Sequence, residues 1–554
     1  MSSSSPDYDA IIIGAGHNGL VCACYLARAG LRVRVLERRD VIGGTAVTQE
    51  FAPGFRNSVA AYTVSLLNPK IIADLNLHRH GLRVVERPFS NFLPLADGGS
   101  FRLGPDLAAT QAEVARFSRR DAGRLPDYYA MIERIADVLR DAVLRTPPNV
   151  GGGIADLGRG AALALRLKGL DMPARRDLLE LFTRSAGEIL DDWFESDALK
   201  AALGFDSVVG NFASPYSAGS AYVLLHHAFG EVNGKRGAWG HAIGGMGAIS
   251  EAIAAEARAH GVVITTGNAV ARVLTRNSNT GSDARAGARG HISGTGSRAS
   301  GVALADGSEI TARCVIGNLN PKLLYLKLVD ADVLEPDFRA RMQRWKCGSG
   351  SFRMNVALAE LPDFSCAPGT QAQPHHASGI VIGPSLGYLD RAYDDAKREG
   401  MSAEPIVEVL IPSTLDDSLA PPGQHVASLF CQQFNPMLPD GRSWDERRDE
   451  AAERIIDTVT RHAPNFRASI LARQVLSPLD LERDFGLVGG DIMHGRLSLD
   501  QLFSARPVLG YADYRSPLKG LYLCGAGAHP GGGVTGAPGH NAAREILKDL
   551  RRNR

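Results

Sequence analysis

Apolar residues run along the chain in two rhythms, short unbroken β-branched runs and longer stretches at helical spacing, which alternate clearly at its start. Residues 10–13 (Ala-Ile-Ile-Ile) predict a parallel strand buried on both faces, since no polar residue interrupts them. Gly14-Ala15-Gly16-His17-Asn18-Gly19 follows, then an apolar segment ending at Gly30 that predicts a helix. Residues 33–36 repeat the strand signal, ahead of Glu37 and the pair Gly43-Gly44.

Strand, glycine loop, helix, strand and acid in that order are the sequence form of a dinucleotide-binding βαβ unit. Gly14 permits the tight turn, Gly16 lets the backbone approach a pyrophosphate, and Gly19 lets the helix pack close to the strand. Amides at the helix start would hold the phosphates. Glu37 stands where a carboxylate can accept hydrogen bonds from both ribose hydroxyls. Gly43-Gly44, lacking Cβ atoms, lets the backbone pass close to a cofactor.

Further along, residues 47–50 predict a short strand, and residues 82–85 and 101–103 predict strands on either side of Asp97-Gly98-Gly99. Helical spacing over 111–117, 125–144 and 175–184, interrupted by Pro147-Pro148 and Gly151-Gly152-Gly153, predicts an inserted helical lobe over about 105–200. Within it, residues 159–176 mix leucines with Arg159, Arg166, Lys168, Arg175 and Arg176. Such a basic segment can lie on a membrane. Arg159 and Arg166, however, crowd the stripe of Leu163, Leu167 and Leu170, so a solvated helix packed on its own core is the expectation.

Gly244-Gly245-Met246-Gly247 precedes an alanine-rich helix (249–259), with strands at 262–265 and 269–274. Residues 277–300 are Gly, Ser, Ala and Arg with little apolar content, which predicts a mobile hairpin tip. The return strands end at Gly317-Asn318-Leu319-Asn320-Pro321, where a sheet end would meet a ligand. Residues 322–503 alternate strands (352–358, 380–382, 406–411, 426–432) with a helix over 444–461, as in a mixed sheet roofing a substrate. Near the C-terminus, residues 521–524 empty into a glycine-rich turn from Gly525 that feeds a helix over 541–550. The 30 residues from Gly525 onward are too few for a second βαβ unit, so this turn must complete the first site.

Charge and cysteine usage narrow the classes. A formal net charge of +1 over 554 residues gives no electrostatic reason for nucleic-acid binding. The seven scattered cysteines show no zinc spacing and suit a reducing compartment, and no metal is expected. Cys22 and Cys24 point about 200° apart on the predicted helix, so they cannot bridge and should pack in the core. No apolar run is long enough to span a bilayer, and no leader is evident; a cytoplasmic protein, at most membrane-peripheral, is expected.

With both ends in view, the chain resembles the flavin-dependent amine oxidase and phytoene desaturase superfamily. Within it, the chain is most similar to the group named for pyridine nucleotide-disulfide oxidoreductase domain-containing protein 2. Residues 9–19, 36–39, 41–44, 240–247 and 521–541 carry the likeness. The resemblance implies an α/β fold: a Rossmann-like FAD-binding domain of amine oxidase/phytoene desaturase type with an inserted mixed-sheet and helical substrate domain. Residues 1–80, 237–330 and 504–554 would form the discontinuous FAD domain, and 81–236 with 331–503 the substrate domain. It further implies extended FAD, with Gly14, Gly16 and Gly19 at the pyrophosphate, Glu37 and Arg38 at the adenosine, and Val270 framing the adenine. Gly43, Gly44 and Thr45 would border the ribityl chain and flavin, with Gly525, Gly527, His529, Gly532 and Val534 along the flavin and its side chain. Where many flavoproteins place an Asp in the C-terminal motif, this turn reads Gly-Ala-Gly-Ala-His-Pro, which leaves backbone groups to hold the ribityl hydroxyls. No redox cysteine pair and no second nucleotide unit appear, so a disulfide reductase is not expected.

Flavin chemistry passes hydride to N5 without an acid–base triad, so the absence of a loud catalytic motif is expected. Tyr222, His226, His227, Trp239 and His529 are the pocket candidates, and of the adjacent His226 and His227 only one can face the flavin. The leading reading is an FAD-dependent desaturase, dehydrogenase or isomerase of an apolar, polyene or lipid-like substrate, with oxygen or a quinone as electron acceptor. An oxidase of amines or other small substrates, and a non-catalytic FAD-binding interaction protein, stay open beside it.

Overall fold

The computed structural model describes residues 6–277 and 296–552. Among the described residues, two seven-stranded sheets, three two-stranded ones and a helical lobe form the fold. In the first sheet, Tyr8–Ile13 lies between Val33–Leu36 and Glu309–Gly317, both parallel to it. Val263–Thr265 extends the sheet beyond Val33–Leu36. Val270–Asn277 and Ser297–Leu304 form an antiparallel flap on the other side, and Leu521–Leu523 pairs parallel with Glu309–Gly317. Ile11 and Ile12 are fully buried, as an unbroken β-branched run under helices requires. The covering helices are His17–Arg28, Gly247–Ala259 and Ala537–Arg552, the first packing on the other two. Cys22 and Cys24 are core residues there, and Cys22 lies against Cys524, whose thiol together with burial pushes its own thiol well up.

The second sheet runs in the order Ile470–Leu476, Phe352–Leu358, His425–Phe434, Met401–Leu410, Gly379–Ile382, Asn91–Pro94 and Ser100–Leu103. All its pairs are antiparallel except Gly379–Ile382 with Asn91–Pro94. Trp444–His462 covers one face with Trp444, Ile455, Ile456 and Val459, and its N-cap Ser443 accepts from the Asp445 amide. Between Leu107 and Ala228, every α-helix except Ile154–Lys168 packs into one core with Leu93, Phe101 and Leu103 at the edge of this sheet.

Three expectations change. The pattern predicts strands at 82–85 and 101–103 but not Asn91–Pro94, which pairs with Ser100–Leu103, while Val84–Glu86 pairs with Gly240–Ala242. A four-residue strand ending in proline leaves almost no periodic signal, which is why Asn91–Pro94 is silent in the sequence. The flap strands reach further into 277–300 than expected, and the rest of that stretch, 278–295, lies outside the described residues. The basic segment is two helices, Ile154–Lys168 and Met172–Thr183, divided at Gly169 and restarted by the N-cap Asp171, and the first buries none of its residues.

Candidate functional site

A cavity of about 510 Å³ opens where the parallel strands of the first sheet end and the second sheet faces them. Its floor is the glycine loop. Gly14 takes φ +98, and Gly16 caps His17–Arg28 with no side chain bonded to the first-turn amides and no acid in that turn. Those amides are therefore free for an anion, and the helix dipole favours one. Asn318, at the end of Glu309–Gly317, donates Nδ2 to both Gly14 O and Gly16 O at 3.2 Å, and so pins the loop to the neighbouring strand. Gly44 approaches so closely that a Cβ on it would stand 3.2 Å from the Gly16 Cα.

Glu37 is buried and lines the cavity. Its Oε2 accepts from the Ala15 amide at 2.8 Å and its Oε1 from the Arg39 amide at 2.9 Å. Two amide bonds leave lone pairs on both oxygens for further donors. Arg38 donates to the carbonyls of Arg483 and Asp484 at 2.9 and 2.8 Å, and Arg39 lies over the Phe485 ring at 4.5 Å. These two arginines tie the end of helix Pro478–Phe485 to the cavity rim. Asn268 and Val270 form the adjoining wall.

The structure brings Gly14, Gly16, Glu37, Arg38, Gly44, Thr45, Val270, Val534, His227 and Trp239 to the cavity surface. The other expected residues stand behind it. A Cβ on Gly19 would lie 2.5 Å from Gly14 O, while Gly43 backs onto Ala46 and Ser250. Gly525 packs on Asn318, Gly527 on Pro321 and Gly532 on Met493. Tyr222 is buried among Val223, Met493, Leu497 and Leu502. His529 turns away from the cavity, its Nε2 3.1 Å from Ala142 O and its ring edge-on to Phe503 at 5.3 Å. Of the adjacent histidines, His227 reaches the cavity and His226 packs edge-on against Phe229 at 4.9 Å. His227 stacks on Trp239 at 5.9 Å, and burial pushes its imidazole down to about 4, so it is neutral at pH 7.

Several lining residues gave no sequence signal as site groups. His17 and His494 both face the cavity, each with one buried ring nitrogen lacking a hydrogen-bond partner, and burial holds both near 4. Tyr62 and Phe430 stack at 5.0 Å with an interplanar angle of 17°, and the Tyr62 hydroxyl donates to Glu408 Oε2 at 2.6 Å. Val209, Ile492 and Met493 complete that side. Arg506, fully buried, donates to Met493 O at 2.8 Å and to Ala526 O at 2.7 Å, and so joins the 493 segment to the C-terminal turn. Among the described residues, no group of three or more His, Cys, Asp or Glu is placed to hold a metal ion. No described helix is long and apolar enough to cross a membrane.

These features suit FAD. Gly14 and Gly16 pack so closely on Asn318, and Gly44 on Gly16, that a Cβ at any of them would push the loop out of place, the helix start offers free amides, and Glu37 keeps acceptor capacity for hydroxyls. The orphaned ring nitrogens of His17 and His494 offer further polar contacts to a phosphate-bearing ligand.

Residues 19–547 match the family model of the flavin containing amine oxidoreductases. The chain is 42% identical over 570 residues to pyridine nucleotide-disulfide oxidoreductase domain-containing protein 2 of Rattus norvegicus, covering 99% of this chain and 94% of that one. It is 26% identical over 561 residues to a limonene dehydrogenase subunit from Castellaniella defragrans, covering 98% and 95%. Its fold matches that of wild-type putrescine oxidase bound to putrescine with a TM-score of 0.58 at 16% identity, over 98% of this chain and 99% of that one. The chain therefore belongs to the flavin containing amine oxidoreductase family, with the amine oxidase type of fold and FAD as its cofactor.

Proposed function

We propose that the chain is an FAD-dependent desaturase or dehydrogenase of an apolar small molecule, a terpene or polyene hydrocarbon being the class its cavity suits. The observation that carries this is the wall made by Tyr62, Val209, Phe430, Ile492 and Met493. Tyr62 turns its hydroxyl away to Glu408 and closes face to face with Phe430, so the two rings present one apolar surface and leave no slot between them for an ammonium group. The carboxylates among the lining residues are Glu37 and Glu482, which lie with the adenosine-side groups Arg38, Arg483 and Phe485. An amine substrate would meet no counter-charge on the opposite wall. The limonene dehydrogenase relative, at 26% identity, bears the name of a hydrocarbon substrate, which supports the same reading.

When bound, FAD supplies the acceptor for the hydride. The protein's part is placement. The loop glycines and the free amides of His17–Arg28 would hold the diphosphate, and Glu37 would accept from the adenosine ribose. The apolar wall would exclude water and orient the substrate. Neutral His227, backed by Trp239, carries no resting charge and is a lining side chain that can accept a hydrogen bond there, or the substrate's proton on becoming imidazolium. The test is anaerobic titration of the FAD-loaded protein with terpene and polyene hydrocarbons and, separately, with putrescine and monoamines. Bleaching of the flavin band by a hydrocarbon alone is expected. Bleaching by amines alone would replace this reading with amine oxidation.

A further inference from the structure

The helix Ile154–Lys168 is amphipathic in the inverted sense. Its charged side faces the protein: Arg159 pairs with Asp156 at 2.9 Å and with Glu545 of Ala537–Arg552 at 3.1 Å, and Arg166 pairs with Asp141 of Arg119–Val143. Leu163 and Leu167 lie half-buried on this same side. Its opposite face is apolar and turned to solvent, with Ile154 88%, Leu157 69% and Leu165 70% exposed. At 100° per residue these fall on one stripe with Ala161, and the only charge on that face is Lys168 at its end. Val150 before this helix and Met172 and Leu179 on the next are also exposed, at 64%, 54% and 64%. An exposed apolar stripe of this kind, held outward by ion pairs beneath it, marks an interaction site.

Around its end stand Lys168, Arg175 and Arg176, all exposed, and among the described residues no carboxylate pairs with any of them. Arg175 instead donates to Lys168 O at 2.8 Å. The patch is thus apolar in the middle, and at its end the exposed cations Lys168, Arg175 and Arg176 outnumber the exposed carboxylate Asp171 that caps the second helix. We propose that this face docks the protein on a bilayer containing anionic phospholipid, with the stripe Ile154, Leu157, Ala161 and Leu165 inserted at the acyl boundary and Lys168, Arg175 and Arg176 among the headgroups. Apolar insertion supplies the affinity and the cations supply the preference for negative lipid. The inference rests on this surface alone and is independent of the substrate proposed above.

Vesicle flotation of the full-length, FAD-loaded protein tests it, using phosphatidylcholine alone and phosphatidylcholine with about one-third phosphatidylserine. Flotation with the mixed vesicles and not with the neutral ones is expected, weakening as salt is raised. The double variant Leu157→Gln/Leu165→Gln, which keeps helix propensity, should lower the floating fraction at least about tenfold with an unchanged melting curve. Arg175→Gln/Arg176→Gln should lower it with the anionic vesicles in the same direction. Failure of the wild-type protein to float, or wild-type flotation by the leucine variant, would overturn the proposal. So would gel filtration showing a dimer that the leucine variant converts to monomer, which would assign the face to a second copy.

Discussion

Gly19 sits in the first turn of His17–Arg28, against the end of the strand Tyr8–Ile13. In Gly19→Ala the added methyl would lie 2.5 Å from Gly14 O, 2.8 Å from Asn318 Nδ2 and 3.0 Å from Asn318 Cβ. The Asn318 amide can swing aside, but the Gly14 carbonyl follows a strand held by parallel neighbours on both sides. A carbon atom needs at least about 3.3 Å from a carbonyl oxygen. The helix must therefore retreat by roughly 0.8 Å. Overpacking of this size costs about 1–3 kcal/mol, against about 1 kcal/mol gained from alanine's helix propensity. A net loss of stability of about 0–2 kcal/mol follows. The larger effect falls on the cofactor, because the retreat carries the free amides away from the cavity. Losing one charge-assisted hydrogen bond, at about 1.5–3 kcal/mol, weakens FAD binding by about tenfold to a hundredfold. Flavin fluorescence titration measures the affinity and thermal melting the stability. Gly123→Ala is the matched control: Gly123 is also helical, but a Cβ there meets nothing within 4 Å. That variant should gain about 1 kcal/mol and bind FAD like the wild type. Wild-type affinity in Gly19→Ala, or equal melting shifts of the same sign in both variants, would refute the reasoning.

Asn318→Ala removes both bonds from its Nδ2 to the loop carbonyls and should weaken FAD binding about tenfold with about 1–2 kcal/mol lost in stability, read by the same two assays. Glu37→Gln keeps one acceptor oxygen for two amides, so the Ala15 or Arg39 amide loses its partner; a stability loss of about 1–3 kcal/mol and weaker FAD binding are expected from melting and titration. Acid should destabilise the protein well before its carboxylates protonate. His17, His227, His494 and His529 are each held down to about 4 by burial, whereas in the unfolded chain they protonate near about 6.5. Their contribution is complete above that pH and is lost as pH falls from about 6.5 to 4, at about 1.4 kcal/mol per net proton and pH unit. Asp206, pushed up to about 8 by burial, acts in the opposite sense with one proton, so four histidines outweigh it. Melting curves between these pH values should fall steeply, and a flat profile would contradict the burial of neutral imidazoles.

The part of the site built from neighbours in sequence was legible. Ile11 and Ile12, the glycines and Glu37 lie within one βαβ unit, and its strand order and loop follow from local pattern. The end of Glu309–Gly317 could be placed near a ligand by position, but not the two hydrogen bonds that Asn318 makes, because they depend on which strand lies alongside. His494 reaches the cavity from a segment of turns and short 3-10 helices, where no period points to a common face, and Phe485 reaches it from the last position of the short helix Pro478–Phe485. The helix Ile154–Lys168 departs from expectation for a different reason. Leu163 and Leu167 share the inner side with the arginines, whereas the exposed stripe begins at Ile154, ahead of the first arginine. Tyr222 and His529 are credible pocket residues by position, yet their side chains pack behind the cavity wall.

The pairing of Leu521–Leu523 with Glu309–Gly317 sets a timetable for biosynthesis. At about 5–20 residues per second the chain takes roughly half a minute to two minutes to make. Throughout most of that interval the glycine loop and Glu37 are already outside the ribosome, yet the wall supplied by Ala526, Gly533 and Val534 does not exist. The cavity is consequently closed only after Leu521–Leu523 has been made and has paired. A premature stop before this strand would leave the glycine loop and Glu37 facing an open side where Ala526, Gly533 and Val534 should stand.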